Sequence, residues 1–119
     1  MITIYHNPRC SKSREALALV EAFGTRKQIP VEVVDYLKSP PTVEQLAALV
    51  RTLGCPVSGM LRSNEEEFGD LKLENAGDED MLRAVASHPK LLQRPIVVFE
   101  GRAVIGRPPE RVLELLNPK

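Results

Sequence analysis

A cysteine stands in a short polar and basic segment near the start of the chain, Asn7-Pro8-Arg9-Cys10-Ser11-Lys12-Ser13-Arg14. An apolar alternating run precedes the segment and a helix-period run follows it, so we expect Cys10 at a strand-to-helix turn. Unpaired N–H groups and the positive end of the helix dipole favour an anion there. Three cations, Arg9, Lys12 and Arg14, add to this effect. The segment therefore predicts a reactive thiolate rather than a buried core thiol.

Two common kinds of cysteine site do not fit this spacing. A dithiol oxidoreductase needs a second cysteine at the position of Ser13, and a tyrosine-phosphatase loop needs an arginine at the position of Ala16. What remains is a single-cysteine site that binds an oxyanion or a thiol substrate and is recycled by a separate reductant. Cys55, between Gly54 and Pro56, is predicted to be structural, and a resolving role for it stays open.

Three further arginines and one histidine are candidates for the same site. Arg62, Arg94 and Arg107 lie in loops or at element ends, and a guanidinium donates two parallel hydrogen bonds to an oxyanion. Any one of them taken alone is better explained as a surface charge or a salt bridge, but Arg94 and Arg107 are stronger candidates because they stand at the ends of apolar strands. His6 ends the first strand and is either a polar neighbour that favours the thiolate or a surface histidine.

The elements around these residues predict a mixed sheet. Residues 2–6 and 31–36 are predicted strands, joined by a helix over 11–23 that ends at Gly24, which makes a βαβ unit with parallel strands. Residues 94–99 and 103–105 form a predicted hairpin, and Pro108-Pro109 begins the last helix. Between these parts lie predicted helices at about 42–53, 58–62, 65–71 and 78–88, the first with a capping box of Thr42 and Gln45. The fold class is thus α/β, a thioredoxin-like four-stranded mixed sheet with a helical insertion at about 42–90.

Length and composition indicate the number of domains and argue against several classes of function. At 119 residues the chain has the size of a single domain, 1–119. Its 16 basic and 16 acidic residues leave no excess of the kind that nucleic-acid binding needs. The sequence shows no Cys/His metal spacing and no apolar run long enough to span a membrane. Because the first residues pass directly into a strand, we expect no signal peptide, and a cytoplasmic location is the default.

Four stretches together resemble the glutaredoxin-dependent arsenate reductase family, over essentially the whole chain. They are Tyr5-His6-Asn7-Pro8-Arg9-Cys10-Ser11-Lys12-Ser13-Arg14, Leu61-Arg62, Arg94-Pro95-Ile96-Val97-Val98 and Arg107-Pro108. The chain most resembles a shorter subgroup with the Pro-Arg-Cys-Ser-Lys-Ser-Arg sequence. The best-studied members have Ala, Gly and Thr where this chain has Arg9, Ser11 and Lys12.

The resemblance implies an arsenate reductase in which Cys10 attacks arsenate. It implies that Arg62, Arg94 and Arg107 bind the oxyanion, and that His6 and Ser13 help to keep the thiol ionised; we place Arg14 with these two. Glutathione is then a co-substrate and glutaredoxin a partner, with no bound cofactor, metal, nucleic acid or membrane. We further expect a monomer, and a cis peptide bond before Pro95.

A second class stays open. Related thioredoxin-fold proteins act as transcriptional regulators that bind RNA polymerase. The known regulators usually carry C-x-x-C at this turn, and Ser13 departs from that pattern. Arsenate turnover would distinguish an enzyme from such a regulator.

Overall fold

The computed structural model describes residues 1–117, so residues 118–119 of the predicted domain lie outside it. The chain divides into two compact units. The first comprises Met1–Tyr36 together with the chain from Arg94 onward, and the second is Leu37–Gln93. That the whole chain is one domain stays a prediction.

The first unit contains a four-stranded mixed sheet. Its strands are β1 (Ile2–His6), β2 (Val31–Asp35), β3 (Ile96–Phe99) and β4 (Arg102–Ile105), in the order β2-β1-β3-β4. β1 is parallel to β2 and antiparallel to β3, and β3 is antiparallel to β4. The predicted thioredoxin-like sheet is therefore confirmed. Glu100 and Gly101 both have positive φ, which suits the two-residue turn of the β3–β4 hairpin.

One apolar core holds this unit together. Alternate residues of β1 face the core, so that Ile2 and Ile4 are fully buried. The rings of Phe23 and Phe99 meet edge to face, with centroids 6.2 Å apart. The buried core residues are Ile2, Ile4, Ala16, Val20, Phe23, Val97, Phe99, Val112, Leu115 and Leu116. Because the first helix, α1 (Ser11–Lys27), and the last helix contribute to the same core as the sheet, the core fixes the start of α1 relative to the end of β1.

Helix α1 (Ser11–Lys27) is longer than predicted, and the expected stop at Gly24 is wrong. Gln28 is the left-handed C-cap instead, and its N–H lies within reach of the carbonyls of Gly24 and Thr25. Gly24 serves close packing: a Cβ there would lie 2.8 Å from both the Ile29 carbonyl oxygen and Val31 Cγ2. The glycine thus allows α1 to pass close to the chain that enters β2.

The last helix, α5 (Arg111–Leu116), begins two residues after the predicted Pro108-Pro109 start. Between β4 and this helix, Gly106 donates its N–H to the Pro95 carbonyl at 2.8 Å. A Cβ on Gly106 would lie 3.0 Å from Pro95 Cγ and from Val112 Cγ1. The predicted cis bond at Arg94–Pro95 is confirmed, and Arg107–Pro108, for which no cis bond was predicted, is also cis.

The second unit is helical, as predicted. Its α-helices are α2 (Val43–Leu53), α3 (Glu66–Asp70) and α4 (Asp78–Ser87). Short 3-10 helices cover Val57–Met60, Leu73–Asn75 and Pro89–Leu91. The predicted capping box of Thr42 and Gln45 is confirmed at both of its hydrogen bonds, and Gly54 caps the other end of α2. In residues 1–117 no helix is long and apolar enough to cross a membrane.

Candidate active site

Cys10 is the N-cap residue of α1, directly after the turn that leaves β1. Its backbone is extended, at φ −97° and ψ 122°, and its own carbonyl accepts the N–H of Arg14 at 3.0 Å. The thiol is partly exposed and forms no disulfide. This placement brings the sulfur to the end of α1 where N–H groups lack partners within the helix, as the sequence predicts.

The pKa of the Cys10 thiol is lowered from its ordinary value. Partial burial acts to raise this pKa, because it disfavours the charged form. The N–H of Ser13, the Arg94 side chain and the N–H of Lys12 oppose that effect through hydrogen bonds to the sulfur, and the Arg94 charge adds to them. The N–H of Ser13 is the largest of these opposing contributions, and Arg94 is the one group that acts through both a hydrogen bond and its charge. At neutral pH a larger share of this thiol is ionised than of an ordinary one.

Arg94 precedes Pro95 and β3, and the pairing of β3 with β1 brings it to Cys10. Its Nε atom is buried and has no hydrogen-bond partner. A buried donor without a partner costs free energy, since it loses its bonds to water and gains none. A guanidinium that contacts the sulfur and keeps a free donor is suited to a ligand with several oxygens bound at that sulfur.

Ser13 is fully buried beneath the Cys10 turn. Its Oγ lies 2.7 Å from His6 Nδ1 and accepts the Asn7 N–H at 3.0 Å. The hydroxyl is therefore engaged away from the sulfur, and Ser13 acts on Cys10 through its backbone N–H. The side chain ties the end of β1 to the first turn of α1.

His6 is 6% exposed at the end of β1. Burial lowers its pKa, with a smaller contribution in the same direction from the charge of Arg14, while Asp35 and Glu21 act to raise it. A neutral imidazole at neutral pH follows, and it brings no positive charge to the thiolate. Its contact with Ser13 gives it a part in shaping the turn.

Arg14 is exposed on α1, and its Nη1 donates to the Pro8 carbonyl at 2.9 Å. The guanidinium therefore spans the turn from α1 back to the residue after Asn7. Lys12, another of the cations near Cys10, lies 3.8 Å from Glu15, an exposed pair that contributes little.

The other two candidate arginines have different surroundings. Arg107 follows β4, is exposed, and donates its N–H to the Ile105 carbonyl at 2.9 Å. Arg62 belongs to the second unit, where its side chain is 13% exposed and forms a salt bridge with Glu65. Its N–H donates to the Leu91 carbonyl at 2.7 Å. The structure thus brings Cys10, Ser13, His6 and Arg94 together in the first unit.

Cys55 contrasts with Cys10. Burial raises the pKa of its thiol, and the only opposing contribution is its own backbone N–H. It lies in the second unit, between α2 and the 3-10 helix that follows. A thiol with a raised pKa is a poor nucleophile near neutrality, which agrees with the structural role expected of it.

Asn7 is a further residue of the site, and it was not among the residues predicted from the sequence. It is 9% exposed, its carbonyl accepts the Cys10 N–H at 3.0 Å, and its Oδ1 accepts the Arg9 N–H at 3.0 Å. The available signal was its residue type and its place before a proline, since asparagine side chains often bond to the backbone two residues on. Within residues 1–117 no cluster of three His, Cys, Asp or Glu side chains forms a metal site.

The sequence and the fold of this chain are both similar to those of known proteins. The chain matches the model of the ArsC family over residues 5–115. It is 46% identical to an arsenate reductase of Neisseria meningitidis serogroup A over 118 residues, which are 97% of each chain. It is 38% identical to an arsenate reductase of Escherichia coli K12 over 97% of this chain and 80% of that one. The solved structure of an arsenate reductase from Vibrio cholerae superposes with a TM-score of 0.87 at 47% identity, covering 95% of both chains.

Proposed function

The chain belongs to the ArsC family, and from that membership and the surroundings of Cys10 we propose that it is an arsenate reductase. The observation that carries the proposal is the Cys10 thiol, which has a lowered pKa and lies beside a guanidinium with a buried, unpartnered Nε. A nucleophile and a donor to oxygen are the two groups that attack on a tetrahedral oxyanion requires.

In the first step the Cys10 thiolate attacks the arsenic atom. An As–S bond forms, one As–O bond breaks, and the leaving oxygen takes up protons to depart as water. Arsenic remains As(V) in the resulting thioester-like adduct. The negative charge on the remaining oxygens lies next to Arg94, which is already in place before the substrate arrives. Such preorganised charge stabilises the transition state without further rearrangement.

We assign oxyanion binding to three arginines. Arg94 contributes most, because its Nε is free to donate while its side chain also contacts the sulfur. Arg107 is exposed and belongs to the same unit as Cys10. Arg62 is paired with Glu65, so it must exchange that carboxylate for the substrate, and we expect Arg62→Ala to cost less activity than Arg94→Ala.

Reduction needs two electrons, and we propose that thiols supply them. Glutathione displaces an oxygen of the adduct as water and forms a second arsenic–sulfur bond. Glutaredoxin then attacks the glutathione sulfur, so that a sulfur–sulfur bond forms and the electron pair of the broken As–S bond reduces As(V) to As(III). Water releases arsenite from Cys10, and a second glutathione recycles glutaredoxin. Overall, arsenate and two glutathione thiols give arsenite, one disulfide and water. His6, Ser13 and Arg14 support the thiolate by holding the turn. The need for a free Cys10 thiol in every cycle favours a reducing, cytoplasmic location. We further propose that the chain works as a monomer.

The test compares two single-cysteine variants with the wild type. Arsenite production is followed with glutathione, glutaredoxin and a reductase that recycles them. Cys10→Ser should abolish turnover, since a hydroxyl is not ionised near neutral pH and forms no arsenic–sulfur bond. Cys55→Ser is the matched control and should keep wild-type turnover. If the wild type shows no arsenate-dependent turnover with any glutaredoxin tested, the arsenate assignment fails.

A further inference from the structure

The turn that carries Cys10 is built on one buried residue, Asn7. Three hydrogen bonds link Asn7 to three different residues of the turn. Its carbonyl accepts the Cys10 N–H at 3.0 Å, its Oδ1 accepts the Arg9 N–H at 3.0 Å, and its N–H donates to Ser13 Oγ at 3.0 Å. Asn7 is therefore hydrogen-bonded to Arg9, to the nucleophile Cys10 and to Ser13 in the first turn of α1.

These bonds decide which backbone donors remain for the sulfur. The N–H groups of Arg9 and Cys10 are both used inside the turn. The N–H groups of Lys12 and Ser13 are the ones that act on the sulfur. A shift of the turn would move the sulfur away from these two donors and from Arg94, because all three contacts depend on where the Cys10 side chain leaves the backbone.

We propose that Asn7 is a positioning residue of the arsenate reductase site, holding residues 7–13 in the turn that presents the Cys10 sulfur to the first turn of α1 and to Arg94. The proposal rests on Cys10 being the nucleophile. Asn7 does not touch the sulfur or the substrate. It acts through the backbone of Arg9 and Cys10 and through the hydroxyl of Ser13.

The side-chain amide is the part of Asn7 that a substitution can remove. Its bond to Arg9 closes a side-chain turn over Pro8, which fixes the approach to Cys10. In Asn7→Ala that bond is lost, while the two backbone bonds of residue 7 can still form. Serine bonds the same N–H more weakly and adds no charge, so Asn7→Ser should recover part of the effect.

The experiment measures the alkylation rate of Cys10 against pH in the full chain. Iodoacetamide is the probe, and cleavage after glutamate separates Cys10, in residues 1–15, from Cys55, in residues 45–65, for mass spectrometry. Cys55 serves as an internal control thiol in every sample. The variants are Asn7→Ala and Asn7→Ser, with exposed Asn75→Ala as the matched control.

In Asn7→Ala we expect the alkylation profile of Cys10 to move to higher pH and the rate at neutral pH to fall about two- to tenfold, the range of one hydrogen bond. Cys55 should be unaffected, Asn7→Ser should lie between Asn7→Ala and wild type, and Asn75→Ala should match wild type. An unchanged Cys10 profile in Asn7→Ala, or an Asn7→Ser profile equal to that of Asn7→Ala, overturns the proposal.

If Asn7→Ala does not fold, Asn7→Ser alone tests the proposal. A pH profile of Cys10 alkylation that is shifted from wild type supports the proposal, and a profile that superposes on wild type overturns it. Because alkylation involves no arsenate, the result is separate from the proposed function. A shifted profile in a protein without arsenate turnover would keep the positioning role and reject the substrate.

Discussion

Arg94 offers the sharpest test, because its contact with Cys10 and its unpartnered Nε predict two losses of different size. Its side chain hydrogen-bonds to the Cys10 sulfur, and its buried Nε has no partner. Arg94→Ala removes both donors at once. The first loss affects the thiolate alone, whereas the second appears only when an oxyanion is bound.

The two losses can be sized separately. A hydrogen bond to a charged group contributes about 1.5–3 kcal/mol, and the partial exposure of Cys10 places this one near the lower end. About 1.4 kcal/mol is a factor of about ten, so alkylation of Cys10 at neutral pH should slow roughly tenfold. Losing a preorganised donor to a developing oxyanion costs about 10²–10³ in turnover. Turnover in Arg94→Ala suffers both losses, so it should fall about a hundred to a thousand times more than alkylation.

Both quantities are measured on the same preparations: alkylation by iodoacetamide, and arsenite production with glutathione, glutaredoxin and a reductase couple. Arg94→Lys keeps the charge but lacks the bidentate fork, so it should restore alkylation more fully than turnover. Arg111→Ala, an exposed arginine on α5, is the matched control and should change neither rate.

Equal factors for the two rates in Arg94→Ala would refute the reasoning. That result would mean that Arg94 acts only on the thiolate and that its Nε makes no bond to the substrate. Full turnover in Arg94→Lys would likewise contradict the need for a planar fork.

Three further changes test the fold around the site. Gly106→Ala should destabilise the protein by about 1–3 kcal/mol in urea unfolding through overpacking against Pro95 and Val112, whereas Gly69→Ala, with open space around it, should not. Because burial lowers the pKa of His6, the unfolded state binds more protons in acid. The contribution of neutral His6 to the free energy of unfolding should therefore be fully present above a pH of about 6.5 and be lost as the pH falls below it. His6→Gln should make the free energy of unfolding less dependent on pH in this range than His88→Gln does. Thr42→Ala removes the confirmed capping box of α2 and should cost about 1 kcal/mol in the same measurement, and an unchanged midpoint would contradict it.

Local sequence signals were sufficient where the relevant contacts are local. The alternation of β1 and the Val-rich β2 predicted their strands, and Thr42 with Gln45 predicted a cap, because each signal acts within a few residues. Gly24 shows the limit of such signals. Its type predicts a helix end, but its place is decided by Ile29 and Val31, which pack too closely for a side chain.

A thiolate at Cys10 could be predicted from its place at a helix start, whereas the charge that lowers its pKa is that of Arg94 and not of the cations beside it in sequence. Which groups contact the sulfur depends on the tertiary structure. Arg94 is distant in sequence and reaches Cys10 because β3 pairs with β1. Ser13 follows the nucleophile by three residues, yet the fold turns its hydroxyl toward His6 and leaves its N–H for the sulfur. The residue types that favour a thiolate are visible in the chain, but their orientation is set by strand pairing and burial, which act between residues far apart in sequence.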